Sequence, residues 1–449
     1  MTREELESTH PLYDSLRDEW LFHVRSYFGG KMYKEGNYLL QHPFESSANY
    51  GRRKATSYYY NYCGPVVDIF VSHLFRKDAV REYGSLSGDS LFRLFLLDAD
   101  LEGNTFSHFM RDAQRFASIY GRVSIMVDKP QALPATRAEA EEYGIRPYLS
   151  LVTPENLLDW SFARLPYSGR VVLDSVKVRE APDTYRIWNR DGWELWQILS
   201  ATGEVRLADA GWHGLGEVPI VNLYNKRSGT RMAGVSDIQD IADINRNIYY
   251  LCSDAREIIE NTAFPMLAVP YSRGSSEERE VGPRNILQFD PAEPNSRPMW
   301  LEAPHSSLSE IREWVQRDIE EIYRIAKLGG VKAVEATATR SGVALEIEHQ
   351  QLYATLSEKA DNVEQAEQRV LELWAKWEGR AFDGRIDYPD DFSIRDMERD
   401  LQSVLSARTA AVESATFNRE LQKKIVRMVL PKTDEALLAS INEEIDSGI

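Results

Sequence analysis

The most tempting cluster of metal- and proton-handling side chains in the 449-residue chain is Glu346-Ile347-Glu348-His349. A helical zinc site of the protease kind needs two histidines four residues apart, with a glutamate between them as general base. This stretch supplies one histidine, so it reads as the solvated face of a helix, where charged side chains normally sit. His10, His23, His42, His73, His213 and His305 are scattered along the chain. The sequence contains no Cys-x-x-Cys zinc pattern, no Gly-x-x-x-x-Gly-Lys-Ser/Thr phosphate loop and no Gly-x-Ser-x-Gly nucleophile elbow. No metal, cofactor or catalytic residue is expected on these grounds. Constellations also form in space, so an enzyme with an acidic cleft between an α/β half and a helical half stays open as an alternative.

Two charge patterns stand out instead. The pattern over 235–262 carries Asp237, Asp240, Asp243, Asp254, Glu257 and Glu260 against Arg246 and Arg256, a balance of 2 − 6 = −4. The small-residue run "GGVKAVEATATR" from Gly329 to Arg340 carries Lys332 and Arg340 against Glu335, a balance of 2 − 1 = +1 in a chain of net charge −17.

Hydrophobic spacing predicts the elements that carry these groups. Leu12, Leu16, Trp20 and Val24 predict a helix over 10–28. A polar, Gly-containing loop is expected over 29–55, then a helix capped by Thr56 or Ser57 and running to about Phe75, with Pro65 as its start or a kink. Two more helices are expected over 88–120, ended by Gly121. The period then changes to two: "RVSIMVDK", "RPYLSLVT", "LLDWSF" and later runs predict a hairpin-rich β region, with Asn189-Arg190-Asp191-Gly192 as a turn. From Ser236, a plausible N-cap, a helix resumes and ends at Pro265. Seven prolines over 264–304 among short apolar runs predict a small β-rich module. A helix restarts at Ser306 or Ser307 and stops at Gly329-Gly330. The longest helix follows, from about Gly342 to Trp377, with Leu345, Leu352, Leu356, Val363, Val370, Trp374 and Trp377 as one narrow apolar seam. Such a seam suits helices packed side by side within or between subunits. Two helices near 395–411 and 416–430 and a short one after Pro431 end the chain.

Composition bounds the class. Hydrophobic residues are 43% and charged residues 27%, near the globular norm. The most apolar run, Tyr58 to Phe75, contains Asn61, Pro65, Asp68 and His73, so no membrane span is expected. The opening "MTREELESTHPLYDSL" lacks an apolar signal core, so no secretion signal is expected. Two cysteines far apart fit a reducing compartment better than a disulfide scaffold. The acidity argues against ordinary DNA wrapping, which requires clustered Lys and Arg. It is compatible with DNA that must pass without adhering.

The order of these parts resembles the portal protein of tailed double-stranded DNA bacteriophages, over nearly the whole chain. "RRKATSYYYNYCGPVVDIFVSHLFRKD", "FMRDAQRFASIYGRVSIMVDKP", "RPYLSLVTPENLLDW" and "SGVALEIEHQQLYATLSEKADNVEQ" look like the wing helix, the helix-Gly-strand step, the following strand and the start of the tunnel helix of that family. The resemblance implies an α+β portal fold: wing over 1–234, stem helix 235–263, clip 264–304, stem helix 305–328, tunnel loop 329–341, tunnel helix and C-terminal wing part 342–406, and a small crown over 407–449. It implies a homo-oligomeric ring of about twelve copies at one capsid vertex of the virion. The ring would be assembled in the host cytoplasm with the terminase large subunit, the major capsid protein and a head-completion or adaptor protein as partners. Double-stranded DNA would pass through the channel for packaging and ejection, and no catalysis or membrane would be involved. In that setting Lys332, Thr337, Thr339 and Arg340 would touch DNA, and Asp237, Asp240, Asp243 and Asp254 would form an acidic channel wall. A non-viral scaffold assembling through coiled coils is a third possibility.

Overall fold

The computed structural model describes residues 1–131, 136–200, 202–263, 266–270, 286–289, 297–301, 306–328, 342–389, 392, 414–429, 440–442 and 444–446. The fold is mixed α+β and divides into two compact units, Met1–Asp391 and Phe392–Ile449.

The first unit opens with α1 (Arg3–Glu7), α2 (Pro11–Phe28), α3 (Gly30–Glu35), α4 (Ser47–Thr56) and α5 (Cys63–Leu74). Helix α2 begins where Pro11 presets the first turn, and it buries Tyr13, Trp20 and Val24. The polar stretch expected as a loop over 29–55 therefore holds two helices. Ser46 caps α4, accepting the Asn49 N–H at 3.2 Å. The expected cap at Thr56 or Ser57 is instead the end of α4: Ser57 is extended (φ −65°, ψ 146°), and α5 starts six residues later with Pro65 in its first turn.

Next come β1 (Val80–Glu82), α6 (Ser90–Leu97) and α7 (Phe106–Tyr120). Phe106, Phe109, Met110, Ala113 and Ala117 put the apolar face of α7 on the core. Gly121 ends it at φ +84°, and a Cβ there would lie 2.5 Å from the backbone of Gly234. A Cβ on Gly234 would lie 1.9 Å from the Gly121 carbonyl oxygen. Two glycines thus let two chain segments cross in contact.

Strand β2 (Arg122–Asp128), buried along its whole length, is the centre of an antiparallel sheet between β3 (Tyr148–Val152) and β9 (Ile220–Tyr224). Helix α8 (Arg137–Tyr143), not foreseen in the sequence, lies between β2 and β3 in the chain. A five-stranded antiparallel meander separates β3 from β9: β4 (Leu157–Arg164), β5 (Val171–Ala181), β6 (Thr184–Asn189), β7 (Gly192–Ile198) and β8 (Val205–Trp212). Its β6–β7 turn is the Asn189–Gly192 segment, where the Asn189 side chain accepts the Asp191 and Gly192 N–H groups.

Helix α9 (Gln239–Ala263) leads out of the β region. Strands β10 (Met266–Pro270), β11 (Ile286–Phe289) and β12 (Met299–Leu301) form a small sheet of order β11-β10-β12, and α10 (Ser306–Ile325) returns. Pairing of Met266 with Leu301 and of Ala268 with Met299 brings the two ends of this segment together beside the helix termini. Helices α9 and α10 lie against each other, and Asn247 Nδ2 donates to Asp318 Oδ2 at 2.7 Å between them.

Helix α11 (Gly342–Trp377) packs on β2, β9, α5 and α7, and on β13 (Arg385–Asp387), which pairs with β1. Leu352, Leu356, Val363, Val370 and Trp374 are buried as their spacing predicts. Ala360, Ala366, Leu371, Leu373 and Ala375 are buried too, so the C-terminal half has a broad buried face in place of a narrow seam. Trp374 is the hub of this packing, with Phe92 and Phe95 at 4.9 and 5.6 Å between ring centroids. Each such large side chain contributes about 1.5–3 kcal/mol by leaving water.

The second unit contains α12 (Ala415–Val429), with Lys423 Nζ 2.7 Å from Asp446 Oδ1. The helix expected near 395–411 lies outside the described residues.

Candidate functional site

The acids singled out in the sequence cluster on and just before α9, and the fold treats them unequally. The segment entering α9 is pinned to the end of α7. Ser236 Oγ donates to the Ile119 carbonyl at 2.7 Å, and the Asp237 N–H donates to the Ser118 carbonyl at 2.9 Å. This aims the Asp237 carboxylate inward. Lys359 of α11 donates to both its oxygens at 2.8 and 2.7 Å, and Asn225 Nδ2 donates to it at 2.9 Å. The side chains of Lys359 and Asp237 are only 4% and 10% exposed. Asn225 Oδ1 also accepts from Lys359, from Ser118 Oγ at 3.1 Å and from Gln114 Nε2 at 3.3 Å. The cluster joins α7, the residue after β9, the approach to α9 and α11. Asp237 is therefore withdrawn from any acidic wall: its charge is matched and buried.

Farther along α9, the helix that replaced the expected loop supplies the counter-charges. Arg52 of α4 reaches Glu257 at 2.9 Å and Glu260 at 2.7 Å. Arg53, 3% exposed, donates to Ser253 Oγ at 3.3 Å and lies 3.5 Å from Asp254, which His42 also meets at 3.1 Å. Within one chain the open part of the acidic stripe is the N-terminal part of α9. Asp240 is exposed there, and Asp243, 63% exposed, pairs along its own helix with Arg246.

Lys332, Thr337, Thr339 and Arg340 lie outside the described residues, as do the side chains of Glu346, Glu348 and His349. Lys327, at φ +57°, ends α10 and donates to Thr355 Oγ1 of α11 at 2.8 Å. The end of α10 is thus held beside α11.

Sequence reasoning missed the charged residues buried on α11. Glu367 is fully buried, 2.6 Å from Arg81 Nε and 2.7 Å from the Tyr388 hydroxyl. Burial and this carboxylate drive the Tyr388 hydroxyl far above its ordinary range. A signal was present: Lys359 falls between Leu356 and Val363, and Glu367 between Val363 and Val370, at three- and four-residue steps. A charge at a stripe position points to a buried partner.

Two hollows bear on the catalytic alternative. One, of about 620 Å³, is open and lies at the β6–β7 turn beside Asp174, Asp191, Glu194 and Trp212. The other, of about 300 Å³, lies between the two sheets. There Asp128 accepts from Tyr148 Oη at 2.9 Å and from Arg186 at 3.4 Å. Burial raises the Asp128 pKa, and the Tyr148 hydrogen bond opposes the rise. These groups satisfy one another across the sheets. Cys63 is buried and its thiol is pushed up to about 12, the opposite of an activated thiolate. Among the described residues no group of three or more His, Cys, Asp and Glu side chains is placed to hold a metal ion. No helix there is long and apolar enough to cross a membrane.

A family model described as a domain of unknown function, DUF4055, matches residues 237–378. That span runs from the Asp237 anchor to the residue after α11. No curated protein sequence matches the chain. Among solved structures, the chain is similar to a component of the neck of an empty gene transfer agent (GTA) particle computed with C6 symmetry. The identity is 11% and the TM-score 0.43, covering 80% of this chain and 89% of that one. A chain in the virion of a native GTA particle is 12% identical with a TM-score of 0.39, over 80% and 89% of the two chains. A chain in the neck of the native GTA particle computed with C12 symmetry is 11% identical with a TM-score of 0.39, over 92% and 94%.

Proposed function

We propose that the protein is a portal-type head-to-tail connector of a phage-like particle. In this reading identical copies close into a ring, of about twelve, at one capsid vertex. The ring's channel admits double-stranded DNA during packaging by a terminase motor and releases it at ejection. The role is structural, with no catalytic step. The observation that supports it best is the arrangement of 237–378. Helices α9 and α10 lie side by side and are joined through a small sheet whose end strands pair. A long helix follows, and it is tied back to the start of α9 by Lys359 and Asp237. Such a helix pair offers repeated lateral surfaces, as a closed ring with two different contact faces per copy requires.

On this reading the run at 329–341 faces the DNA, and Asp240 and Asp243 supply negative charge that limits adhesion, screened beyond ~8–10 Å at physiological salt. Mass photometry and negative-stain imaging of the purified chain test the ring: a closed particle of hundreds of kilodaltons with a central hole is expected. A species that stays monomeric or dimeric at high concentration rules it out. Lys332→Glu with Arg340→Glu should lower the DNA length packaged per particle while rings persist. Unchanged packaging would remove the DNA-facing role of the loop.

A further inference from the structure

Three arginines are buried among the described residues, Arg53, Arg122 and Arg146. Arg53 has the Glu45 carboxylate at 2.8 Å, and Arg146 has that of Asp98 at 2.9 Å. Arg122, at the start of β2 and 1% exposed, pairs with no carboxylate among the described residues. Its Nη1 donates to Ser124 Oγ at 2.7 Å and to Asn222 Oδ1 at 2.9 Å. Ser124 Oγ donates to the same Asn222 oxygen at 2.8 Å, and Asn222 Nδ2 donates to Met232 Sδ at 3.4 Å. These neutral groups clamp one end of the guanidinium.

The other end is left open. Nε and Nη2 of Arg122 are buried and meet no acceptor among the described residues. In the planar guanidinium, Nε–H and one Nη2–H lie on the same edge and point the same way. They form a fork that matches two oxygens of one anion. Burial lowers the Arg122 pKa to about 10, which still leaves the group charged at neutral pH. A buried charge without a counter-charge, and buried donors without acceptors, carry the cost of lost hydration. A water molecule would satisfy the donors and leave the charge unmatched, whereas an oxyanion answers both.

The same face of β2 borders open space. Side chains alternate along a strand, so Arg122 and Ser124 share that face with Met126 and Asp128, which line the hollow of about 300 Å³ between the sheets. Val152, which pairs with Ser124, lines it too.

We propose that the Arg122 fork binds a small oxyanion with two coplanar oxygens, a carboxylate or bicarbonate, between the two sheets. The site stands independently of the ring reading. The bound anion supplies the counter-charge that Glu45 and Asp98 give the other two buried arginines.

Crystals of the full chain grown with sodium formate, and separately with sodium bicarbonate, test the site directly. Planar density with two oxygens within hydrogen-bond distance of Nε and Nη2 is expected. A water molecule or nothing at the fork overturns the site. After exhaustive dialysis into chloride buffer, formate or bicarbonate at constant ionic strength should raise the thermal midpoint saturably, by at least about 2 °C. The anion that acts at the lower concentration identifies the source. Density without that rise means binding at crystal concentration only and overturns the assignment. Arg122→Met replaces the charge with apolar bulk, a kind of change that buried sites often tolerate. The rise should vanish in this variant, and a rise that survives places the anion elsewhere and overturns the assignment. If the variant fails to fold, the wild-type density and titration decide.

Discussion

Helices α10 and α11 carry the same kinds of side chain and use them in opposite ways. Trp314 of α10 is 53% exposed, with the Arg317 guanidinium 4.9 Å from its ring centroid. Trp374 of α11 is fully buried and donates its indole N–H to the Pro147 carbonyl at 3.3 Å. The ion pairs divide likewise. Arg324 and Glu321 on α10 pair in the open, with side chains 71% and 41% exposed. Lys359 and Asp237 pair almost out of reach of water. Residue type does not set energetic weight. The number of elements converging on the residue does: α10 packs along α9, while α11 meets two sheets and several helices.

The strongest way to break this contrast is at the tryptophans. Trp374→Ala should destabilise the chain by about 4 kcal/mol, from lost burial and the cavity left behind. Trp314→Ala should leave chemical denaturation of the unassembled chain nearly unchanged. Equal losses would mean that α10 is covered within one chain.

The charge pairs give the next effect. Asp237→Ala leaves a buried ammonium without its carboxylate and should cost about 3 kcal/mol by urea titration. Glu321→Gln should leave the midpoint unmoved, since open pairs contribute little. A neutral Asp237→Ala would show that Lys359 finds another partner.

Two histidines sharpen the comparison with pH. His23 is buried with its Nδ1 unpartnered among the described residues, and desolvation lowers its pKa to about 4. His42 is 57% exposed and sits beside Asp254. The unfolded chain takes up a proton on His23 below about 6.5, whereas the folded chain resists until about 4. Between those values the unfolded state binds more protons, so stability falls as pH falls. His23 should account for about 2 kcal/mol lost between pH 7 and pH 5. His23→Gln should flatten that part of the profile, measured by urea titration at each pH. A profile unchanged by the variant would place the acid sensitivity elsewhere.

Much of the architecture was legible in local patterns. The end of α7, the start of α10, the bounds of α11, the turn at Asn189–Gly192 and the strand-rich middle follow from glycine, proline and periodicity, which act over a few residues. Helices α3 and α4 were not legible as such, because their sequence is polar. Helix α4 is fastened mainly by Arg52 and Arg53 to Ser253, Asp254, Glu257 and Glu260, about two hundred residues away. Strand β13 is three residues long and gains its identity from pairing with β1. The acidic pattern before and along α9 was visible, but its division into buried, paired and open carboxylates was not.

The sequence by itself determined the end of α7, the bounds of α11 and the turn at Asn189–Gly192, because capping, backbone restriction and the spacing of apolar residues are properties of neighbouring positions. Only the tertiary structure decided what each charge does. A carboxylate's burden depends on its distance from a counter-charge and from water, and Asp237 and Asp240 are three residues apart on one stripe. One is sealed against Lys359 and the other faces solvent, because α11 folds back over the first and not over the second.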